Sequence, residues 1–253
     1  MKKIRYGLLA AVYFCGLCSL SSSIFASDVY VGVAGGFQSL TSNMSTMTTS
    51  STAPDLGVLG STSSQSAANG GVGDVYMGIV SQPIPHVMTL GLEANFTGFT
   101  AKTDVSYFDI SDGSFSANTQ WKYNFGVSLI PGYLLTDSTK LYARMGIGYG
   151  EYTSSSDNQI TEYVDVQNLP GYNGQFSEHE FSYRLGAGVE TMIAPKWSVR
   201  LEYDYWHYNA VDPDDYNDSN GNVISYSFHP SSNTVMLGVS YHFYQSGGAD
   251  LVL

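Results

Sequence analysis

The residues able to do chemistry in this 253-residue chain are ten Lys and Arg, 22 Asp and Glu, and five His. Histidine invites a search for nucleophilic catalysis, which needs His and Ser within hydrogen-bond reach and an acid or amide to orient them. The stretch "FHPSSN", Phe228 to Asn233, holds those types together, but His229 precedes a proline and no acid has suitable register beside it. "DPDDYNDSNGN", Asp212 to Asn222, has the composition of a calcium loop. Setting the required glycine at Gly221 puts Tyr216 at the first ligand position, and no Glu closes the loop, so the stretch reads as a chain of Asx turns. No catalytic residue, metal or cofactor is expected. A third group is more orderly. Glu93, Lys122, Arg144, Arg184, Glu190, Arg200, Glu202 and Asp204 each fall on the polar step of an alternating segment. Four bases and four acids on one face can pair, as buried charge requires.

The segments that carry these charges alternate with period two. Eight are expected, near 28–40, 72–82, 87–100, 119–134, 139–152, 179–194, 196–208 and 232–243. One parity is apolar, as in Trp197, Val199, Leu201, Tyr203 and Tyr205; the other is small or charged, as in Arg200, Glu202 and Asp204. Connections alternate between tight turns (83–86, 135–138, Ala194–Pro195) and long stretches rich in Ser, Thr, Asn, Asp and Gly (41–71, 101–118, 153–178, 209–231). The first long stretch carries no charge but Asp55 and is expected to be mobile. Aromatic residues gather at the ends of the apolar stripe. Trp121, Tyr123, Tyr149, Tyr183, Tyr203 and Tyr205 approach the long-loop end, and Trp197, Tyr241 and Phe243 the other. Two aromatic girdles mark the two interfaces of a membrane. Strands in hydrocarbon must close on themselves, because an open edge has no hydrogen-bond partner there. The expected fold is all-β: an eight-stranded antiparallel up-and-down transmembrane β-barrel with four long extracellular loops and three short periplasmic turns. A ring of eight has an interior that side chains fill, so the charge set is expected to plug the lumen.

Composition bounds the rest. Met1 to Arg5 carry three basic residues, Leu8 to Leu20 are mostly apolar and Ser21 to Ala26 small or mixed, the layout of a signal peptide over residues 1–26. Both cysteines, Cys15 and Cys18, lie there, which excludes a disulfide framework or a thiolate metal site in the remaining 227 residues. Those residues keep seven basic side chains against 22 acidic ones, 7 − 22 = −15. Nucleic acid is therefore excluded as a partner. The barrel is assigned to 27–243 and a short tail to 244–253.

"LYARMGIGYG" (141–150), "YRLGAGVETMIAPKWSVRLEYDY" (183–205) and "NTVMLGVSYHF" (233–243) resemble strands five to eight of the small outer-membrane barrels of the OmpA, OmpX and opacity-protein type. The most specific piece is Leu-Gly-Ala-Gly-Val-Glu, then a Pro-Lys-Trp turn and Arg-Leu-Glu-Tyr. The resemblance implies an integral, multi-pass protein of the bacterial outer membrane that meets lipid and lipopolysaccharide. Its closing aromatic strand resembles the signal read by the barrel-assembly machinery, although "YQSGGADLVL" follows Phe243. No wall-anchoring role is carried over. The expected role is structural, with loops that meet host-surface or phage ligands as an adhesin or surface antigen. Two alternatives stay open: a small ion-conducting porin-like channel, and a lipid A or phospholipid-modifying enzyme, since "FHPSSN" is similar to the His-Ser-Asn set of lipid A deacylases.

Overall fold

The computed structural model describes residues 28–50, 58–109, 113–156, 176–210, 216–217 and 222–243. The expected signal peptide and tail lie outside the described residues, as does most of the Asp212–Asn222 stretch. Among the described residues ten strands follow in order: β1 (Asp28–Ser50), β2 (Val58–Ile84), β3 (Met88–Phe99), β4 (Lys102–Asp109), β5 (Gly113–Leu134), β6 (Thr139–Ser156), β7 (Phe176–Ala194), β8 (Trp197–Tyr208), β9 (Tyr216–Asn217) and β10 (Asn222–His242). Eight form a closed ring, β1-β2-β3-β5-β6-β7-β8-β10 and back to β1. Every pairing in it is antiparallel. The other two are short additions, β4 on β5 and β9 on β10.

Alternation sorts the side chains. Val33, Met77, Ile147, Leu185, Leu201 and Leu237 stand exposed on the outside, while Glu93, Arg144, Arg184 and Glu202 are buried inside. Phe37, Phe96, Tyr149, Phe181, Tyr183, Tyr203 and Tyr205 are exposed near one end of this apolar band, and Tyr133, Trp197 and Phe243 near the other. Water would disfavour such an exterior; hydrocarbon suits it. Tight turns close one rim, at 85–87, 135–138 and 195–196. His86 takes a positive φ of 59° in the first of them.

At the opposite rim the structure departs from expectation. The outward face of β1 reads Val29, Val31, Val33, Gly35, Phe37, then Ser39, Thr41, Asn43 and Ser45. The apolar pattern stops at Phe37, but pairing continues: β1 stays bonded to β2 as far as Thr49↔Val58, and to β10 as far as Ser50↔Asn222. Most of the stretch expected to be a mobile loop, 41–71, is thus a strand hairpin. Strand geometry needs paired backbone and is indifferent to whether lipid or water faces the side chains. From Phe37 to Ser50 this hairpin reaches roughly 40 Å along the strand past the girdle, at about 3.3 Å per residue. β6 and β7 also continue, to Ser156 and from Phe176, and β4–β5 make a hairpin within 101–118.

The bore is narrow enough that large inward side chains need sockets. Tyr30 lies across Gly78, Tyr76 across Gly32 and Tyr142 across Gly188, each pair directly opposite on neighbouring strands. A Cβ on Gly188 would come within 2.5 Å of the Tyr142 ring and hydroxyl. Gly73, by contrast, faces outward with nothing within 4 Å of where its Cβ would sit. Gly188→Ala should therefore cost about 1–3 kcal/mol, the usual range for overpacking, whereas Gly73→Ala should be neutral. Denaturant unfolding in lipid vesicles checks the pair; equal effects would contradict the socket assignment.

Candidate functional site

The interior is built in layers. At its centre Asp204, Arg184, Glu202, Arg144, Glu93 and Arg200 form one chain of alternating charge. Arg184 Nη2 donates to Asp204 Oδ2 and to Glu202 Oε1, both at 2.7 Å. Arg144 reaches Glu202 through Nε at 3.1 Å and Glu93 through Nη1 at 2.7 Å. Arg200 grips Glu93 with both terminal nitrogens, at 2.8 and 3.4 Å. Arg200 stands on β8 and Glu93 on β3, which are opposite walls of the eight-strand ring. The chain therefore crosses the whole bore.

Neutral groups complete it. Tyr142 donates to Glu202 Oε2 at 2.6 Å and Tyr30 to Glu93 Oε2 at 3.0 Å. The Arg200 guanidinium lies over the Tyr76 ring at 3.4 Å, and Tyr76 in turn meets Ser240 at 2.9 Å. Asp74 sits 3.6 Å from Arg184 and accepts hydrogen bonds from Thr97 and Asn95. In a low-dielectric interior such charges persist only because each has partners.

A second layer seals the bore toward the long hairpins. Leu40, Val72, Phe99, Trp121, Tyr152, Trp206, Tyr208, Phe228 and Met236 form a buried apolar cluster. Trp121 and Tyr208 have ring centroids 4.1 Å apart, and Phe99 meets Trp206 edge-on at 5.6 Å from the opposite wall. Arg184 touches Trp206 from the ionic layer below, 4.7 Å from its centroid.

Two sequence expectations are reversed here. Trp121, expected in the lipid girdle, is 0% exposed inside the barrel. Lys122, expected in the lumen, points outward with 47% of its side chain exposed and pairs with Glu151 at 3.4 Å. The cause is a β-bulge: Trp121 pairs with Tyr152 and Tyr123 with the adjacent Glu151, so Lys122 is an extra residue without a partner. One inserted residue inverts the parity beyond it. Glu190 also lies apart from the central chain, at the short-turn rim with Lys140 at 2.8 Å. Of the expected lumen set, Glu93, Arg144, Arg184, Arg200, Glu202 and Asp204 meet one another. Tyr123, Tyr149, Tyr183, Trp197, Tyr203, Tyr205, Tyr241 and Phe243 occupy outward positions. Sequence reasoning left Asp74 and Lys140 out of the charge set and passed over Phe99, Tyr152, Trp206, Tyr208 and Phe228, although all of these keep the inward parity.

His229 and Ser232 fall on opposite faces of β10, His229 exposed and Ser232 buried with the Tyr208 hydroxyl at 3.1 Å. His179, also exposed, stacks on Tyr149 and lies 3.2 Å from the Tyr123 hydroxyl.

Comparison with known proteins adds to this geometry. The chain matches the family described as outer membrane protein beta-barrel domain over residues 8–243. It is 30% identical over 116 residues to outer membrane protein X of Escherichia coli K12, covering 46% of this chain and 53% of that protein. To outer membrane protein A of Escherichia fergusonii it is 27% identical over 121 residues, 48% of this chain and 42% of that one. The match thus spans about half the length of these curated relatives, 53% and 42%. Similar solved structures include OprG from Pseudomonas aeruginosa, with 14% identity over 87% of this chain and 98% of that chain and a TM-score of 0.45. Another is Ail, the attachment invasion locus protein of Yersinia pestis, with 14% identity over 82% and 99% and a TM-score of 0.35.

Removing one partner from the central chain leaves buried charge uncompensated. Glu93→Gln, which deprives both Arg144 and Arg200, should cost about 3–5 kcal/mol, while Lys122→Gln at the exposed bulge should leave unfolding unchanged. Urea titration of the two variants in vesicles checks this; a stable Glu93→Gln barrel would contradict the network's role.

Proposed function

The chain belongs to the outer membrane protein β-barrel family and is an integral protein of the outer membrane, and from that premise we propose that it is a non-conducting scaffold whose long hairpins are its working surface. The observation that carries this reading is the Arg200–Glu93 bridge between opposite walls, with the aromatic layer above it. A hydrated pore through this bore would have to break charge-assisted hydrogen bonds and expel packed rings, and a ring of eight leaves little room otherwise. The interior therefore serves rigidity. Function then falls to the hairpins, whose strands run on past the girdle with outward faces of Ser, Thr and Asn.

In this reading the long hairpins face the cell exterior and the tight turns the periplasm. Lipopolysaccharide surrounds the girdle, and the assembly machinery receives the closing strand at Tyr241 and Phe243. The hairpins meet partners on host cells or phage, as an adhesin or surface antigen does. Residues that stop belonging to the lipid at Phe37 but remain in rigid pairing present a preordered surface, which lowers the entropic cost of binding. No catalytic role is assigned to His229 or Ser232: an acyl-transfer site needs His and Ser in contact, and the two faces of β10 keep this pair apart.

Two measurements test the proposal. In planar bilayers the purified protein should give no sustained conductance; a steady open channel altered by Arg144→Ala would favour the porin alternative. Trimming the β1–β2 hairpin to a tight turn between Asn43 and Gln65, which are directly paired, should keep the heat-modifiable barrel while abolishing binding of whole cells to host surfaces. Unchanged binding in all hairpin-trimmed variants would reject the display role.

A further inference from the structure

At the short-turn rim, five side chains from five strands form a second ionic chain that the central network does not use. His242, the last residue of β10, places Nδ1 2.5 Å from Asp28 Oδ2, on the first residue of β1. Its Nε2 lies 3.0 Å from Ser198 Oγ on β8. Ser198 donates to Glu190 Oε1 on β7 at 2.5 Å, and Lys140 Nζ on β6 reaches Glu190 Oε2 at 2.8 Å. The Tyr30 ring covers the imidazole with centroids 5.6 Å apart.

Aspartate, histidine and serine in this order are the parts of an acyl-transfer triad. The hydrogens argue otherwise. Ser198 spends its only hydrogen on Glu190, so the oxygen facing His242 Nε2 is an acceptor. The imidazole then donates on both sides, to Asp28 and to Ser198, and has no lone pair with which to take a proton from serine. Ser198 is also fully buried. What results is a balanced set, two carboxylates against one imidazolium and one ammonium, that ties the first strand of the ring to the last.

That tie acts where the fold needs it. The β1–β10 seam joins strands at opposite ends of the sequence, in a single unbroken register from Tyr30↔His242 to Ser50↔Asn222. Its outward faces repeat: Val29, Val31 and Val33 on β1, and Val235, Leu237 and Val239 on β10. A slip of two residues keeps every one of these on the lipid, so apolar patterning alone cannot reject it. We propose that the Asp28–His242–Ser198–Glu190–Lys140 chain is the register latch of barrel closure. Only one register brings Asp28 to His242, and a slipped seam parts the Asp28 carboxylate from an imidazolium that stays buried beside Ser198 and Glu190.

Disulfide trapping in full-length protein with Cys15→Ser and Cys18→Ser tests the latch. Val31 and Tyr241 are direct partners, so Val31→Cys with Tyr241→Cys should crosslink and report the native register. Val33→Cys with Tyr241→Cys reports a two-residue slip and should not crosslink. Adding His242→Gln, or the milder Asp28→Asn, should reduce the first crosslink and raise the second, and should lower the temperature at which the folded electrophoretic form is lost. Crosslinks and transition unchanged by both substitutions would overturn the latch. Hydrolysis of p-nitrophenyl acetate that Ser198→Ala abolishes would overturn it too, in favour of the triad. Should His242→Gln fail to fold, Asp28→Asn decides: a shift from the first crosslink to the second supports the latch, and the native crosslink pattern overturns it.

Discussion

The structure depends on closure. In hydrocarbon no water satisfies a backbone N–H or C=O, so each must find its partner within the sheet, and a sheet with an edge cannot comply. Pairing β1 with β10 removes the edge from the ring. Everything else about the barrel is a consequence of that requirement or a means of meeting it. Once the ring is shut, period-two alternation sends half of each strand to lipid and half to a bore about one side chain wide. The choice of inward residues then decides whether the protein is a channel or a rod.

In this chain inward side chains fill the bore. Its inward charges alternate in sign from Asp204 to Arg200 and reach across to Glu93 on the far wall. Its large inward rings are accommodated by glycines on the strand beside them, as Tyr142 is by Gly188. The ionic chain and the aromatic layer also divide the work. Ion pairs are directional and fix which strands may face one another, whereas Trp121, Trp206 and Tyr208 fill volume and exclude water without a charge requirement. Arg184 belongs to both, bonded to Asp204 and Glu202 below and lying on Trp206 above.

The ring was legible in the sequence because burial between lipid and lumen imposes strict alternation, and each of the eight expected segments lies on one of the ring strands. The far ends of the strands were not legible. Alternation between apolar and polar residues is a signal of lipid contact, and it vanishes at Phe37 on β1 although the backbone ladder continues to Ser50. The central charges were legible for the same reason as the strands, since Arg144, Arg184, Arg200, Glu93, Glu202 and Asp204 all keep the inward parity. Trp121 and Lys122 were misplaced because parity counting cannot see an inserted residue, and both side chains are plausible on either face of an interface. Asp74 was readable on the inward parity of β2, as were Trp206 and Tyr208 on β8. Trp206 and Tyr208 differ from the girdle residues Tyr203 and Tyr205 in parity alone.

The account rests on which residues see lipid, and the three tryptophans offer a direct reading. Trp197 stands exposed on the outer face, whereas Trp121 and Trp206 are buried within the bore. Variants retaining one tryptophan each, with phenylalanine at the other two positions, can be folded into vesicles whose acyl chains carry bromine, a contact quencher of indole fluorescence. Strong quenching of Trp197 alone, with Trp121 and Trp206 spared, is the result predicted. Quenching of Trp121 or Trp206 as strong as that of Trp197 would put hydrocarbon on the face assigned to the lumen and contradict the account.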